Sequence, residues 1–191
     1  LDVPLANQEW IRLELSRALA QNNRQAVIEA IQRICMWEDP GPGGYYDDLG
    51  DPLRQPHLVR QKRWHSDPGY VQSTRVDFAI PQRGYRQSWV HYAESLYGEP
   101  IIMRYTGLDP AASYVLRATY SGRYRPTMTL VADGAYEVHG PVPTEVPATT
   151  REWPIPREAT ADGMLTLRWR RVSGRGAQVS EVWLIRKATN Q

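Results

Sequence analysis

The most regular alternation in the sequence runs through Gly163-Met164-Leu165-Thr166-Leu167-Arg168-Trp169-Arg170. Leu165, Leu167 and Trp169 occupy every second position, and mostly polar or charged side chains lie between them. A period of two is typical of a β-strand that has one face in a hydrophobic core and the other face in water. The stretch therefore predicts a strand whose Leu165, Leu167 and Trp169 point inward.

Comparable short segments recur along most of the chain, and turn sequences rich in Gly, Asp and Pro separate them. Many short strands without intervening helices indicate a mainly β protein, an antiparallel β-sandwich such as a jelly roll. Within this set we expect Val76, Phe78 and Ile80 to share one face, and Trp183 to lie opposite Val182. The predicted strands are residues 74–80, 100–106, 113–120, 127–132, 163–170 and 178–186.

Residues 1–37 follow a different pattern. Asn7 is predicted to cap a helix, because apolar residues follow it at helical spacing. A second apolar face ends near Cys35, before Pro40 and Gly41 stop the pattern. The pattern predicts two short helices, or one long helix with a weak middle.

These features divide the chain into a helical segment, residues 1–39, and a β-sandwich domain, residues 40–191. The apolar stripe of the helices needs a partner, which is either the sandwich or a domain upstream. Cys35 is the only cysteine, which excludes an intrachain disulfide and a Cys-based zinc site. Its place in the apolar pattern favours a buried side chain.

Composition excludes several classes of protein. Hydrophobic residues make up 41% and charged residues 23% of the 191 residues, with a mean hydropathy of −0.56. This profile is typical of a globular protein, and no stretch approaches the roughly 18 apolar residues of a membrane helix. The formal net charge of +2 gives no electrostatic argument for nucleic acid. We therefore expect neither a membrane nor a nucleic acid as partner.

Four segments resemble the strands of a galactose-binding-like β-sandwich. They are Tyr105-Thr106-Gly107-Leu108-Asp109-Pro110, Ser113-Tyr114-Val115-Leu116, Ala161-Asp162-Gly163-Met164-Leu165-Thr166-Leu167 and Val179-Ser180-Glu181-Val182-Trp183-Leu184-Ile185. The stretch at 43–50 is similar to C-terminal regions of large bacterial glycoside-hydrolase-like proteins. The resemblance implies a non-catalytic accessory module, extracellular or periplasmic, whose partners are a polysaccharide or oligosaccharide and an upstream domain. The alternative is a structural domain that packs on a catalytic domain and has no ligand of its own.

The segment after the helices concentrates acidic residues on a Gly- and Pro-rich stretch. Asp47, Asp48 and Asp51 can supply the oxygen ligands that Ca²⁺ prefers, although their spacing differs from the EF-hand loop. An exposed acidic turn is the alternative. Calcium is therefore the one cofactor that the sequence suggests.

Aromatic residues with polar edges cluster on predicted loops, where sugar rings commonly stack on such side chains. These rings can equally fill the ends of the sandwich. Arg123, on a predicted turn, can bind a hydroxyl or a carboxylate. The predicted ligand-binding residues are Tyr45, Tyr46, Trp89, His91, Tyr92 and Arg123.

The sequence gives little support for catalysis. Its histidines, His57, His65, His91 and His139, are scattered, and the sequence contains no Gly-x-Ser-x-Gly, His-Glu-x-x-His or P-loop motif. We therefore predict that the chain is not an enzyme.

Overall fold

The computed structural model describes residues 6–60, 62 and 64–187. In these residues two α-helices, α1 (Gln8–Ala20) and α2 (Arg24–Cys35), precede eleven strands, as the change in periodicity predicted. Short 3₁₀ helices cover Trp64–Ser66, Gln87–Trp89 and Arg157–Thr160. The strands are β1 (Tyr45–Asp48), β2 (Arg75–Phe78), β3 (His91–Glu94), β4 (Ile101–Thr106), β5 (Ser113–Tyr120), β6 (Thr127–Ala132), β7 (Tyr136–Pro143), β8 (Thr149–Pro154), β9 (Met164–Ser173), β10 (Gln178–Val179) and β11 (Glu181–Lys187).

All strand pairs are antiparallel. One sheet has the order β1-β11-β5-β8, and the sheet that completes the sandwich has the order β4-β9-β6-β7. A small sheet, β10-β3-β2, joins the first one because only Ser180 separates β10 from β11. The predicted fold class, an antiparallel β-sandwich preceded by a helical segment, is confirmed.

The core forms where the two main sheets face each other. Leu165, Leu167 and Trp169 of β9 are fully buried, as their alternation predicted. The indole N–H of Trp169 donates a 2.9 Å hydrogen bond to the Tyr120 hydroxyl, whose oxygen lies 2.6 Å from His139 Nε2. A buried hydrogen-bonded network of this kind satisfies the polar edges of large rings inside an apolar core.

The two helices pack against each other, and their N-terminal ends are fixed by different means. Asn23 caps α2, because its side chain accepts a hydrogen bond from Gln25 N. Asn7 occupies the predicted N-cap position of α1, but its side chain makes no capping hydrogen bond. Its buried carboxamide instead accepts from Gln87 N at 2.9 Å and so fastens the start of α1 to the sandwich domain.

Three apolar positions, Phe78, Ile80 and Cys35, are more exposed than the sequence pattern indicates. Phe78 is 63% exposed and Ile80 is 62% exposed, because β2 is an edge strand and ends at Phe78. Cys35 is also exposed, at the last residue of α2, where it borders a cleft rather than a packed interface. Trp183 does lie opposite Val182, but both are fully buried because the outer face of β11 is covered as well.

We expect Trp169→Ala to destabilise the protein by about 3–5 kcal/mol, the usual cost of truncating a large buried aromatic side chain. Chemical denaturation measures this loss, and Arg170→Ala, at the exposed next position, serves as the matched control. An unchanged unfolding midpoint for Trp169→Ala would show that the two faces of β9 are reversed.

Candidate functional site

Glu181 is a fully buried carboxylate on the outer face of the β1-β11-β5-β8 sheet. Its Oε1 accepts hydrogen bonds from Trp37 Nε1 at 3.0 Å and from the Tyr46 hydroxyl at 2.9 Å. Its Oε2 accepts from Trp89 Nε1 at 2.7 Å and from Thr119 Oγ1 at 3.0 Å. Four donors from four separate segments therefore converge on one side chain.

These donors stabilise a charge that burial alone would make very costly. A cation also lies nearby, because the Nε of the buried Arg86 is 3.9 Å from Glu181 Oε1. The Arg86 guanidinium lies over the rings of Trp10, at 4.4 Å, and Trp37, at 4.9 Å. Aromatic faces attract such a cation, so Arg86 links α1 to the segment that follows α2.

Trp37 is the centre of an aromatic cluster. Its ring makes edge-to-face contacts with Trp10, Trp89 and Trp183 at centroid distances of 5.3, 5.8 and 5.6 Å. Its carbonyl oxygen accepts a 2.8 Å hydrogen bond from Trp183 Nε1. Trp37 is thus held both by its ring and by its backbone, which fixes the orientation of its indole.

Two clefts border Trp37, and each has the volume of a small-molecule site. The first, the Arg86 cleft, has a volume of about 650 Å³. Its lining is Trp10, Ile11, Ile34, Trp37, Glu38, Asp39, Arg54 and Arg86, with Asn7 and Cys35. The second, the Arg117 cleft, has a volume of about 940 Å³ and is lined by Gln32, Arg33, Met36, Trp37, Asp39, Arg117, Thr150 and Glu152.

Charged groups alternate in sign along the Arg86 cleft. Glu38 forms ion pairs with Arg54 and, at 3.6 Å, with Arg86. Arg54 also lies 3.9 Å from Asp48 and 5.5 Å above the ring of Tyr46. Such pairs hold both a carboxylate and a guanidinium at the wall of the cleft. That combination, beside an indole, suits a ligand that presents many hydroxyl groups and an apolar ring face.

Tyr46 and Trp89, which the sequence suggested as a stacking platform, are both donors to Glu181. Burial raises the pKa of the Tyr46 phenol, and the charges of Glu181, Asp48 and Glu38 raise it further. Tyr46 is therefore a neutral hydrogen-bond donor over the whole physiological pH range. Tyr46 lies in β1 and Trp89 in the 3₁₀ helix Gln87–Trp89, both half-buried, and neither ring lines either cleft.

Tyr45 belongs to a separate cluster around Asp47. The buried Asp47 carboxylate lies 2.9 Å from His57 Nδ1 and accepts a 3.2 Å hydrogen bond from the Tyr105 hydroxyl. The Tyr45 ring contacts the His57 ring at 4.8 Å, and its hydroxyl donates to the Thr106 carbonyl. Burial and the charge of Asp47 raise the pKa of Tyr105. Asp47 is thus an acceptor that satisfies groups at the edge of the core.

The other two predicted metal ligands have partners of their own. Asp48 accepts from Gly50 N and lies 3.5 Å from His91 Nδ1, while Asp51 accepts from Leu53 N. Gly50 is required here because its backbone packs directly against the His91 ring. Within the described residues no group of three His, Cys, Asp or Glu side chains is arranged to hold a metal ion. The acidic segment is strand β1 and its turn, not the loop predicted for calcium.

The remaining predicted ligand residues lie around β3. Tyr92 is fully buried, so its ring is enclosed by the fold and offers no exposed platform. Its hydroxyl accepts a hydrogen bond from Arg123 N at 3.3 Å. The Arg123 side chain is exposed on the turn after β5, with Arg175 and Arg123 both close to the ring of Tyr124. The six predicted residues therefore do not form one site.

Sequence reasoning missed Trp37, Glu38, Arg54 and Arg86, which line or support the Arg86 cleft. Trp37 had one signal, since a large ring immediately follows the apolar stripe of α2. Glu38, Arg54 and Arg86 had none, because they come together only through the packing of distant segments.

Neither helix of the described residues has the length and apolar character needed to cross a membrane.

Comparisons with known proteins support the fold. No family model and no curated protein matches the sequence. Among solved structures, the plant receptor-like kinase ANX2 and the ANX1 ectodomain from Arabidopsis thaliana each match with a TM-score of 0.52 at 8% identity. Each match covers 76% of this chain and 48% of the other, so the chain spans about half the length of those structures. At this identity the likeness shows the fold alone.

A carbohydrate-binding module is also among the similar structures. The family 35 module from Clostridium thermocellum is 15% identical, with a TM-score of 0.36, and the match covers 60% of this chain and 93% of the module. At that score the similarity says nothing about the function of this chain. The resemblance predicted from the sequence is confirmed at the level of the β-sandwich fold.

We expect Tyr46→Phe to destabilise the protein by about 1.5–3 kcal/mol at neutral pH, because it removes a hydrogen bond to a charged group. The folded-state pKa of Tyr46 is raised above the ordinary value of 10.0, so the stabilisation is complete below pH 10 and is lost as the pH rises further. Denaturation from pH 7 to pH 11 therefore measures a stability difference that is constant at first and shrinks above pH 10. A difference that grows above pH 10 would contradict this assignment.

Proposed function

We propose that this chain is a non-catalytic carbohydrate-binding module whose ligand occupies the clefts beside Trp37. One observation carries the proposal. A tryptophan of fixed orientation borders two clefts, and carboxylates and guanidiniums line the edges of both. Aromatic rings contact the C–H faces of sugars, while charged side chains bind their hydroxyl groups through strong hydrogen bonds.

We also propose a setting for this module. The sequence resemblance suggests an accessory module of a larger bacterial carbohydrate-active protein that works outside the cytoplasm. An upstream domain of the same chain is the second proposed partner.

Asp39 provides the sharpest test of the proposal, because it is exposed and lines both clefts. Asp39→Asn retains the oxygen that accepts from Gly41 N but removes the charge. We expect it to weaken polysaccharide binding by about tenfold, which corresponds to about 1.4 kcal/mol. Affinity electrophoresis on a panel of plant and bacterial polysaccharides measures the change.

Glu137→Gln is the matched control, since it neutralises an exposed carboxylate on β7, in the opposite sheet. We expect it to bind like the unaltered protein. Equal binding by Asp39→Asn would remove these clefts as the site. A folded protein that binds no polysaccharide in the panel would overturn the carbohydrate proposal.

A second candidate function rests on a different observation. The helical pair exposes the apolar side chains Leu19 and Ile31, which are 64% and 47% exposed and line neither cleft. Such a face is typical of a surface that packs against another domain. A structural domain that docks through α1 and α2 is therefore the alternative. Ile31→Lys separates the two functions, because it should abolish docking to an upstream domain and leave carbohydrate binding unchanged.

A further inference from the structure

The Arg86 cleft and the Arg117 cleft share two residues, Trp37 and Asp39. Their other lining residues differ, so the clefts lie on two sides of the same short segment. Trp37 is held in place by Trp10, Trp89, Trp183 and Glu181, so the half-buried residue that both clefts share has a fixed position. A ligand that passes over Trp37 and Asp39 contacts both clefts at once.

The charged residues that line the clefts indicate which class of ligand they can bind. The Arg86 cleft contains two carboxylates, Glu38 and Asp39, and two guanidiniums. The Arg117 cleft has the same balance, with Asp39 and Glu152 opposing Arg33 and Arg117. Each lining taken alone is thus formally neutral, and the two together carry only +1, because they share Asp39. A polyanion or a polycation would therefore gain little net attraction from the clefts.

Ion pairs among the lining residues also argue against a charged ligand. In the Arg117 cleft, Arg117 makes a double contact with Glu152 at 2.7 and 2.6 Å. In the Arg86 cleft, Glu38 pairs with both Arg54 and Arg86. Guanidiniums that already have a carboxylate partner are poor sites for a further carboxylate. They retain N–H groups that can donate to neutral hydroxyl oxygens.

We infer that the two clefts are consecutive subsites for one neutral oligosaccharide, whose chain crosses Trp37 and places successive sugar units on its two sides. The inference rests on the proposed function and adds the ligand class to it: a neutral glycan of at least two units. Affinity then comes from both clefts together, since the second unit binds as part of a chain that is already held.

Oligosaccharides of defined length test the inference. The probes are cello-, xylo- and manno-oligosaccharides from the monosaccharide to the hexasaccharide, with oligogalacturonates as the charged comparison. Isothermal titration calorimetry should show affinity for one neutral series rising by about tenfold from the monosaccharide to the trisaccharide, a gain of about 1.4 kcal/mol. Affinity should then level off, because both clefts are filled.

A pair of methionine variants locates the second subsite. Met36 lines the Arg117 cleft but not the Arg86 cleft, and it is 54% exposed. Met36→Ala should therefore reduce the gain with chain length. Met164→Ala, which truncates a 48% exposed methionine at the start of β9, should keep the full gain.

Each negative result overturns a different claim. Equal affinity for the monosaccharide and its longer homologues would overturn the two-subsite inference and leave the proposed function in place. A preference for the oligogalacturonates would overturn the neutral ligand class. Binding by none of these probes, nor by any polysaccharide, in a folded protein would overturn both the inference and the proposed function.

Discussion

The buried carboxylate of Glu181 connects the parts of this protein that the sequence presents as separate. It projects from the outer face of β11, where an ordinary sandwich would meet solvent. Donors come to it from the end of the helical pair, from β1, from the 3₁₀ helix before β3 and from β5. An uncompensated charge in this position would be strongly destabilising, so all four segments must be in place together.

The clefts depend on the same interaction. Trp37 donates a hydrogen bond to Glu181 through its indole N–H, and its ring contacts Trp10 of α1 and the guanidinium of Arg86. The helical pair is therefore fastened to the outer face of the sheet by a polar contact surrounded by aromatic rings. Both clefts lie where this segment meets the sandwich domain, so the candidate site exists only when the two parts are packed together.

Local periodicity predicted the elements that have one buried face. The bounds of β5 and β6 match residues 113–120 and 127–132, because each strand alternates cleanly between core and solvent. β1 and β3 were missed, since each has only four residues. β7 and β8 were missed as well, because both contain proline, which is uncommon within strands. The edge strand β2 misled the prediction, because Phe78 lies at an apolar position of the pattern and yet is exposed.

The candidate site was less predictable for a related reason. Tyr46 and Trp89 were predicted to bind a ligand, whereas both donate to Glu181. Glu181 was not suspected as their partner, because it lies in a strand pattern where a charge normally faces water. Its burial follows from the helices that cover β11, and these are distant in sequence. Trp37, Glu38, Arg54 and Arg86 likewise meet only in the folded chain. The periodicity of a single sequence does not reveal contacts between segments that are far apart in the chain.

Hydrogen–deuterium exchange of Glu181→Gln tests most directly whether this carboxylate fastens the helical pair to the sheet. The amide of Gln presents N–H groups to an indole or hydroxyl donor, so at least one of the four hydrogen bonds is lost. We expect faster exchange throughout α1 and α2 and in β1, while β6 and β9 retain their protection and Glu137→Gln behaves like the unaltered protein. Unchanged exchange in α1 and α2 would contradict the account, because it would show that the helical pair is held by other contacts.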